Sequence, residues 1–245
     1  MPQPVVESTF NHERFALERR GIEHILAHLR PDDVFFDVGA MFGLYTALAG
    51  QHLPEGSVVA FEPYPPNVTA LERTIELNDL SNVSVHEVAL GDENGSAEFE
   101  SPSLAYHAEL ETHLHEQASR GVTDPTPPDD ALDVPEVETF TAETRTGDSL
   151  VAGGVPQPNL VKIDVEGAEP LVVEGMRETL ASEACRCLVC EVHPPDDGTA
   201  VGERSEGSIE DYGATVADLV ETVEGLGFET ELETGDGYMQ LRGLK

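Results

Sequence analysis

The chain has 245 residues, and 48 Asp and Glu stand against 13 Lys and Arg, a formal charge of −35. So few cations leave little to neutralise nucleic-acid phosphates, and an anionic membrane surface repels such a chain. No apolar run approaches the ~20 residues of a membrane span, and the N-terminus lacks the basic-then-apolar order of a signal peptide, so a cytoplasmic protein is expected.

The length fits one domain, 1–245, with an insertion. Self-repulsion at this charge destabilises a compact state in dilute buffer. At about 1 M salt the Debye length falls to about 3 Å, so the composition points to a halophile. The three cysteines, Cys185, Cys187 and Cys190, form no disulfide framework. A zinc reading of Cys187, Cys190 and His193 fails for want of a fourth ligand, because closed sites take four.

Residues 12–30 have helical periodicity, with Phe15, Ile22, Ile25, Leu26 and Leu29 on one stripe and Pro31 ending it. Val34–Val38 reads as a buried strand, 43–52 as a helix, and Ser57–Phe61 as a second buried strand. A helix over 66–78 and a strand over Val83–Ala89 follow. A short strand or hairpin is expected around Asn94-Gly95. A Pro-rich insertion or lid then breaks the rhythm over about 101–140, with a polar helical piece at 104–119. The pattern resumes with a strand at 159–165, a helix at Glu169–Leu180, a strand at Arg186–Val192, a helix at 213–226 and two last strands at 228–232 and 238–241. Such alternation implies a doubly wound, mostly parallel α/β sheet.

The first motif is Asp37-Val-Gly39-Ala40-Met-Phe-Gly43-Leu-Tyr45-Thr46, a strand running into a glycine turn and a helix N-terminus. Such a turn lets a ligand approach the backbone, and the helix start offers N–H groups to an anion. Its G-x-x-x-G spacing departs from the G-x-G-x-x-G of dinucleotide folds, which disfavours a nicotinamide enzyme. The second motif is Phe61-Glu62-Pro63. A carboxylate at the end of the second strand can accept ribose hydroxyls. Asp164, Glu166 and Glu169 gather near Lys162 after a later strand. Alternation puts Lys162, Asp164 and Glu166 on one face if that strand continues. Carboxylates in this pattern suit a general base or a hard divalent cation, and His193 titrates in the range of a base. The histidines of the insertion, His107, His113 and His115, fit no standard metal spacing.

With Ala89-Leu90-Gly-Asp92, Val161-Lys-Ile-Asp-Val-Glu-Gly-Ala-Glu169 and Cys190-Glu-Val-His193 in this order, the chain closely resembles the FkbM family of S-adenosylmethionine (SAM)-dependent methyltransferases. The resemblance spans about residues 32–193 apart from the insertion. It implies a Rossmann-like class I methyltransferase fold, with an antiparallel C-terminal strand, and O-methylation of a sugar, glycan or other small hydroxylated metabolite. It places Asp37, Gly39, Ala40, Gly43, Tyr45 and Thr46 at the methionine end of SAM, Glu62 and Pro63 at the ribose, and Ala89, Leu90 and Asp92 at the adenine. Asp164 or His193 is the expected base, with Glu166 as its partner or a metal ligand. A divalent metal is allowed by these carboxylates, but no metal ligand set is assigned. A non-catalytic SAM-binding module and methyl transfer to protein stand as alternatives. Met41 departs from the family, which usually has Asn there.

The charge carries its own test. Between about 0.1 M and about 1 M salt, where the Debye length shrinks from about 10 Å to about 3 Å, the melting temperature is expected to rise by several degrees. A Tm independent of salt removes the screening argument.

Overall fold

The computed structural model describes residues 13–102, 137–194, 207–235 and 238–245. The helical piece expected at 104–119 and the three histidines of the insertion lie outside them. Helix α1 (Glu13–His28) leads into β1 (Val34–Val38), α2 (Leu44–His52), β2 (Ser57–Phe61), α3 (Pro65–Leu77) and β3 (Val83–His86). β1 and β2 are each buried at four of five positions. That is why they read as unbroken apolar runs, since a parallel strand is covered on both faces.

Three further segments form a small second sheet. They are β4 (Ala89–Leu90), β5 (Gly95–Pro102) and β6 (Val137–Arg145), in the order β4-β6-β5. Here the structure departs from expectation once: the strand expected over 83–89 stops at His86, and Ala89–Leu90 leave the main sheet to pair in parallel with Thr144 and Arg145. Of the strand or hairpin expected around Asn94-Gly95, the strand is present as β5; no hairpin closes there, because β4 and β5 flank β6 on opposite sides. Instead Asn94 Oδ1 accepts from Thr146 N at 2.8 Å and Ser149 Oγ at 3.0 Å, which fixes the start of α4 (Gly147–Ala152). β5 and β6 are antiparallel, with Pro102 opposite Val137, so both ends of the inserted stretch lie in one strand pair.

The chain continues through β7 (Leu160–Ile163), α5 (Glu169–Gly175), α6 (Arg177–Ala181) and β8 (Cys187–Val192). The helix expected over 169–180 is thus two helices that meet at Met176. A 3-10 turn (Ile209–Tyr212), α7 (Val216–Gly225), β9 (Glu229–Gly235) and β10 (Tyr238–Leu244) complete the described residues. The main sheet has the order β3-β2-β1-β7-β8-β10-β9. β1, β2, β3, β7 and β8 are mutually parallel, while β10 runs antiparallel to both β8 and β9. The sheet is therefore mostly parallel and doubly wound, as expected.

Its two faces bury separate cores. Phe36, Phe61, Val161, Leu188 and Cys190 belong to one; Ile22, Ile25, Phe35, Val58 and Cys187 belong to the other. Cys187 and Cys190 therefore project to opposite faces and cannot share an ion. At the amino ends of the strands Arg186 donates to both oxygens of the buried Asp33 and to His28 O at 3.0 Å. This ties the end of α1 to the sheet.

The order of the strands reverses between β1 and β7, because the chain winds outward from β1 through β2 and β3 and later from β7 through β8. In such sheets the crevice at the reversal, beyond the carboxyl ends of the strands, is where ligands bind. The β1–α2 turn sits there. Gly39 (φ 73), Met41 (φ 50) and Gly43 (φ 86) are all left-handed. A Cβ on Gly39 would lie 1.8 Å from Asp164 O, so no other residue fits. Met41 is exposed; its departure from Asn falls where Asn suits the backbone and Met does not. Met41→Asn is expected to raise stability by about 0.5–1 kcal/mol, while Met41→Val lowers it, since β-branching resists a positive φ. Chemical denaturation of the three proteins checks the order.

Candidate active site

Four neighbouring strands deliver their next residues to one edge. Gly39 follows β1, Glu62 follows β2, Asp164 follows β7, and His193 follows β8. The strands pair in the order β2-β1-β7-β8, so these residues line the crevice without a break.

The centre is Lys162, the penultimate residue of β7 and almost fully buried. Its Nζ donates to Gly39 O at 2.7 Å. It lies 3.6 Å from Asp37 Oδ1, 3.3 Å from Asp164 Oδ2 and 5.4 Å from the centroid of the Tyr45 ring. A buried ammonium is tolerable only with such company. Asp37 is fully buried; its other oxygen accepts from Thr46 Oγ1 at 2.6 Å, while Oδ1 makes no hydrogen bond. Ala40 is buried beside them.

Glu62 joins two turns. Its Oε2 accepts from Met41 N at 2.9 Å, and its Oε1 from Tyr64 N at 3.0 Å and Asn67 Nδ2 at 3.3 Å. Pro63, with no N–H of its own, leaves that oxygen to the amide of Tyr64. Burial pushes the Glu62 carboxyl up; the bonds from Tyr64, Met41 and Asn67 and the charge of Lys162 pull the other way. A carboxylate has about four acceptor positions, so with three taken Oε2 retains capacity for a hydroxyl donor. The amides of Gly39 and Ala40 both donate to Phe61 O at 3.0 Å, and that of Met41 to Glu62. An anion at this turn therefore meets the opening turn of α2, where a helix leaves N–H groups without internal partners, rather than the amides directly after Gly39.

Ala89 and Leu90 are buried in β4, and Asp92 is exposed beyond it. Gly175, at the end of α5, seats this loop: a Cβ there would be 1.8 Å from Gly91 O.

At the other end of the crevice His193 Nδ1 bonds Glu169 Oε1 at 2.6 Å, and Glu169 also accepts from Gly167 N at 3.0 Å. Glu169 is fully buried. His193 Nε2 lies 3.5 Å from Glu166 Oε2 and 3.9 Å from Asp164 Oδ1. The three carboxylates do converge, but not by strand alternation. β7 ends at Ile163, and Glu166 turns back with φ 54 ahead of Gly167 at φ 100. Burial alone would lower the His193 pKa. The hydrogen bond and charge of Glu169, then the charges of Glu166 and Asp164, outweigh it and raise the pKa from 6.5 to about 10. Among the described residues of this crevice, Asp164, Glu191 and His193 each offer a donor atom within 4.8 Å of the others. Lys162 already brings positive charge to Asp164 there. Asn67 and the pairing of Glu169 with His193 escaped sequence reasoning; Asn67 five residues after Glu62 carries no motif, and Glu169 reads as a helix-start acid.

Over residues 37–229 the chain matches the family described as the Methyltransferase FkbM domain. It is 30% identical over 196 residues to the 31-O-demethyl-FK506 methyltransferase FkbM of Streptomyces tacrolimicus, covering 76% of this chain and 72% of that one. It is 29% identical over 179 residues to the hexuronic acid methyltransferase AglP of Haloferax volcanii, covering 72% and 62%. Methyltransferase 1 of Beauveria bassiana is 32% identical over 155 residues, covering 60% and 59%. The matches thus span about three-fifths of the length of the last two relatives. The crystal structure of methyltransferase FkbM from Methylobacillus flagellatus superposes with a TM-score of 0.54 at 16% identity, covering 89% of this chain and 45% of that one. The precorrin-6y C5,15-methyltransferase of Geobacter metallireducens does so at 0.51 and 13%, covering 94% and 88%. Both share the fold.

The raised pKa of His193 has a consequence for stability. A raised folded-state pKa contributes stability that is complete below the unfolded value of about 6.5 and is lost as pH climbs through about 10. Thermal unfolding from pH 6 to pH 10 is expected to show that loss in the wild type and a flatter profile in His193→Gln. Parallel profiles would refute the pairing with Glu169.

Proposed function

Because the chain belongs to the FkbM methyltransferase family, we propose that it is a SAM-dependent O-methyltransferase acting on a hydroxyl of a sugar, a glycan or another small hydroxylated metabolite. The convergence of Gly39, Glu62, Asp164 and His193 at the strand-order reversal carries this reading. Relatives named for a hexuronic acid and for 31-O-demethyl-FK506 support an oxygen acceptor.

The residues fit the cofactor in two respects. Glu62 keeps acceptor capacity for a ribose hydroxyl, and the Gly39–Gly43 turn brings backbone and the start of α2 to the crevice. Bound SAM supplies a methyl group on a cationic sulfur. Everything else falls to the chain. Glu62 and the glycine turn orient the donor, with Asp37, Ala40, Tyr45, Thr46 and Lys162 holding the turn. Ala89, Leu90 and Asp92 stand on the adenine side. With a pKa raised to about 10, and not near neutrality as the sequence suggests, His193 holds a proton at neutral pH; only after releasing it does Nε2 take the acceptor proton, while Glu169 holds Nδ1–H and fixes tautomer and ring direction. Asp164 and Glu166 flank Nε2 and favour the imidazolium that forms. No described helix is long and apolar enough to cross a membrane.

Two measurements test the reading. Calorimetric titration in high salt is expected to show SAM binding that weakens about tenfold or more in Glu62→Gln, the loss of a hydrogen bond to a charged group. Undiminished binding would remove Glu62 from the cofactor site. For turnover, kcat/KM is expected to rise with pH toward about 10, the value at which His193 releases its proton. A profile flat from pH 7 to pH 10 moves the base to Asp164. SAM binding without turnover on hydroxylated acceptors favours a binding module, and labelling of protein alone favours a protein acceptor.

A further inference from the structure

A second cluster of donor side chains lies at the opposite, amino-terminal end of the strands. His24 and His28 stand one turn apart on α1, and Cys187 opens β8 beneath them. Each offers one donor atom, and the three atoms lie within 4.8 Å of one another. We propose that these residues bind one zinc ion, or a first-row ion of similar softness, which clips α1 to the sheet.

Three observations beyond proximity carry this. His28 Nδ1 bonds the carbonyl of His24 at 2.8 Å. A ring nitrogen held by a backbone carbonyl leaves Nε2 with its lone pair outward, the usual outer support of a metal-bound histidine. His24 Nε2 is buried and has no hydrogen-bond partner. A buried polar nitrogen left so is rare and calls for a reason. Finally, a cavity of about 290 Å³ opens beside the cluster, lined by His28, Cys187, Arg30, Arg186 and Leu244 among others. It gives an ion a way in and room for a solvent molecule as fourth ligand.

The chemistry of the set selects the ion. Two imidazoles at i and i+4 of a helix form a standard pair for zinc, and one thiolate adds softness that magnesium and calcium do not favour. Binding releases the Cys187 thiol proton to solvent. Four cations stand nearby: Arg186 is paired with Asp33, Arg242 with Glu231 and Glu233, Lys245 donates to Leu180 O and Ser182 O, and Arg30 is exposed to solvent. The ion would lie between α1 and β8, in line with the Asp33–Arg186 contact that already joins them. It stands apart from the crevice, and its presence or absence leaves the reading of the methyltransferase site unaffected.

The experiment uses the untagged full chain, stripped of metal by a chelator. Titration with zinc against a chromophoric chelator is expected to give one ion per chain. His24→Gln and His28→Gln should each weaken binding about tenfold or more, whereas His193→Gln should not. Substitution with cobalt(II) is expected to give a near-ultraviolet sulfur-to-metal charge-transfer band, lost in Cys187→Ser and kept in Cys190→Ser. No stoichiometric binding, a band that survives Cys187→Ser, or affinity lost only in His193→Gln would each overturn the proposal. If Cys187→Ser does not fold, the two histidine variants, at half-buried positions, decide the matter.

Discussion

A single buried ammonium holds the crevice together. Lys162 and Lys245 are the only lysines of the chain, and Lys162 stands where the strand order reverses. The glycine turn comes within reach because Gly39 has no Cβ; its carbonyl then accepts a hydrogen bond from Lys162 Nζ, and Asp37 and Asp164 close in from either side. Without that charge Asp37 would be a buried carboxylate with Thr46 as its hydrogen-bond donor, a state that low-dielectric surroundings penalise heavily. The turn, the first strand and the acidic cluster beyond are therefore one electrostatic unit.

From that unit charge alternates along the crevice. Lys162 faces Asp164, Asp164 approaches His193, and His193 is anchored by Glu169. Each ion has a neighbour of opposite sign. This is how a chain with a net charge of −35 can hold several carboxylates in one partly buried place. Lys162 and His193 offset only part of the charge of Asp37, Asp164, Glu166 and Glu169, so the site remains net negative. Their proximity makes the members interdependent: protonation of one changes the field at the next.

Much of this was legible in sequence. The apolar runs at 34–38 and 57–61, the glycine turn and the acid at 62 follow from the burial of parallel strands and from the geometry of βα turns. The second sheet was not. β6 begins at the edge of a Pro-rich stretch, and its partner β5 lies on the far side of that stretch, so nothing local marks the pairing. The strand at 83–89 misled because Ala89 and Leu90 are apolar and continue the run, although they pair elsewhere. The carboxylates near Lys162 were found by motif, but the reason they meet is backbone: Glu166 and Gly167 both adopt positive φ, and a side-chain period cannot show that. His24 and His28 stand one helical turn apart, but Cys187, the third member of their cluster, lies far from them in sequence.

The pairing of Pro102 with Val137 makes the stretch between them a detachable part. Both ends leave from adjacent points of one antiparallel ladder, so residues 103–136 can lengthen, shorten or be exchanged at little entropic penalty to the rest, since closure grows only with the logarithm of loop length. The ladder between β5 and β6 thus leaves the length of the stretch it flanks free to vary.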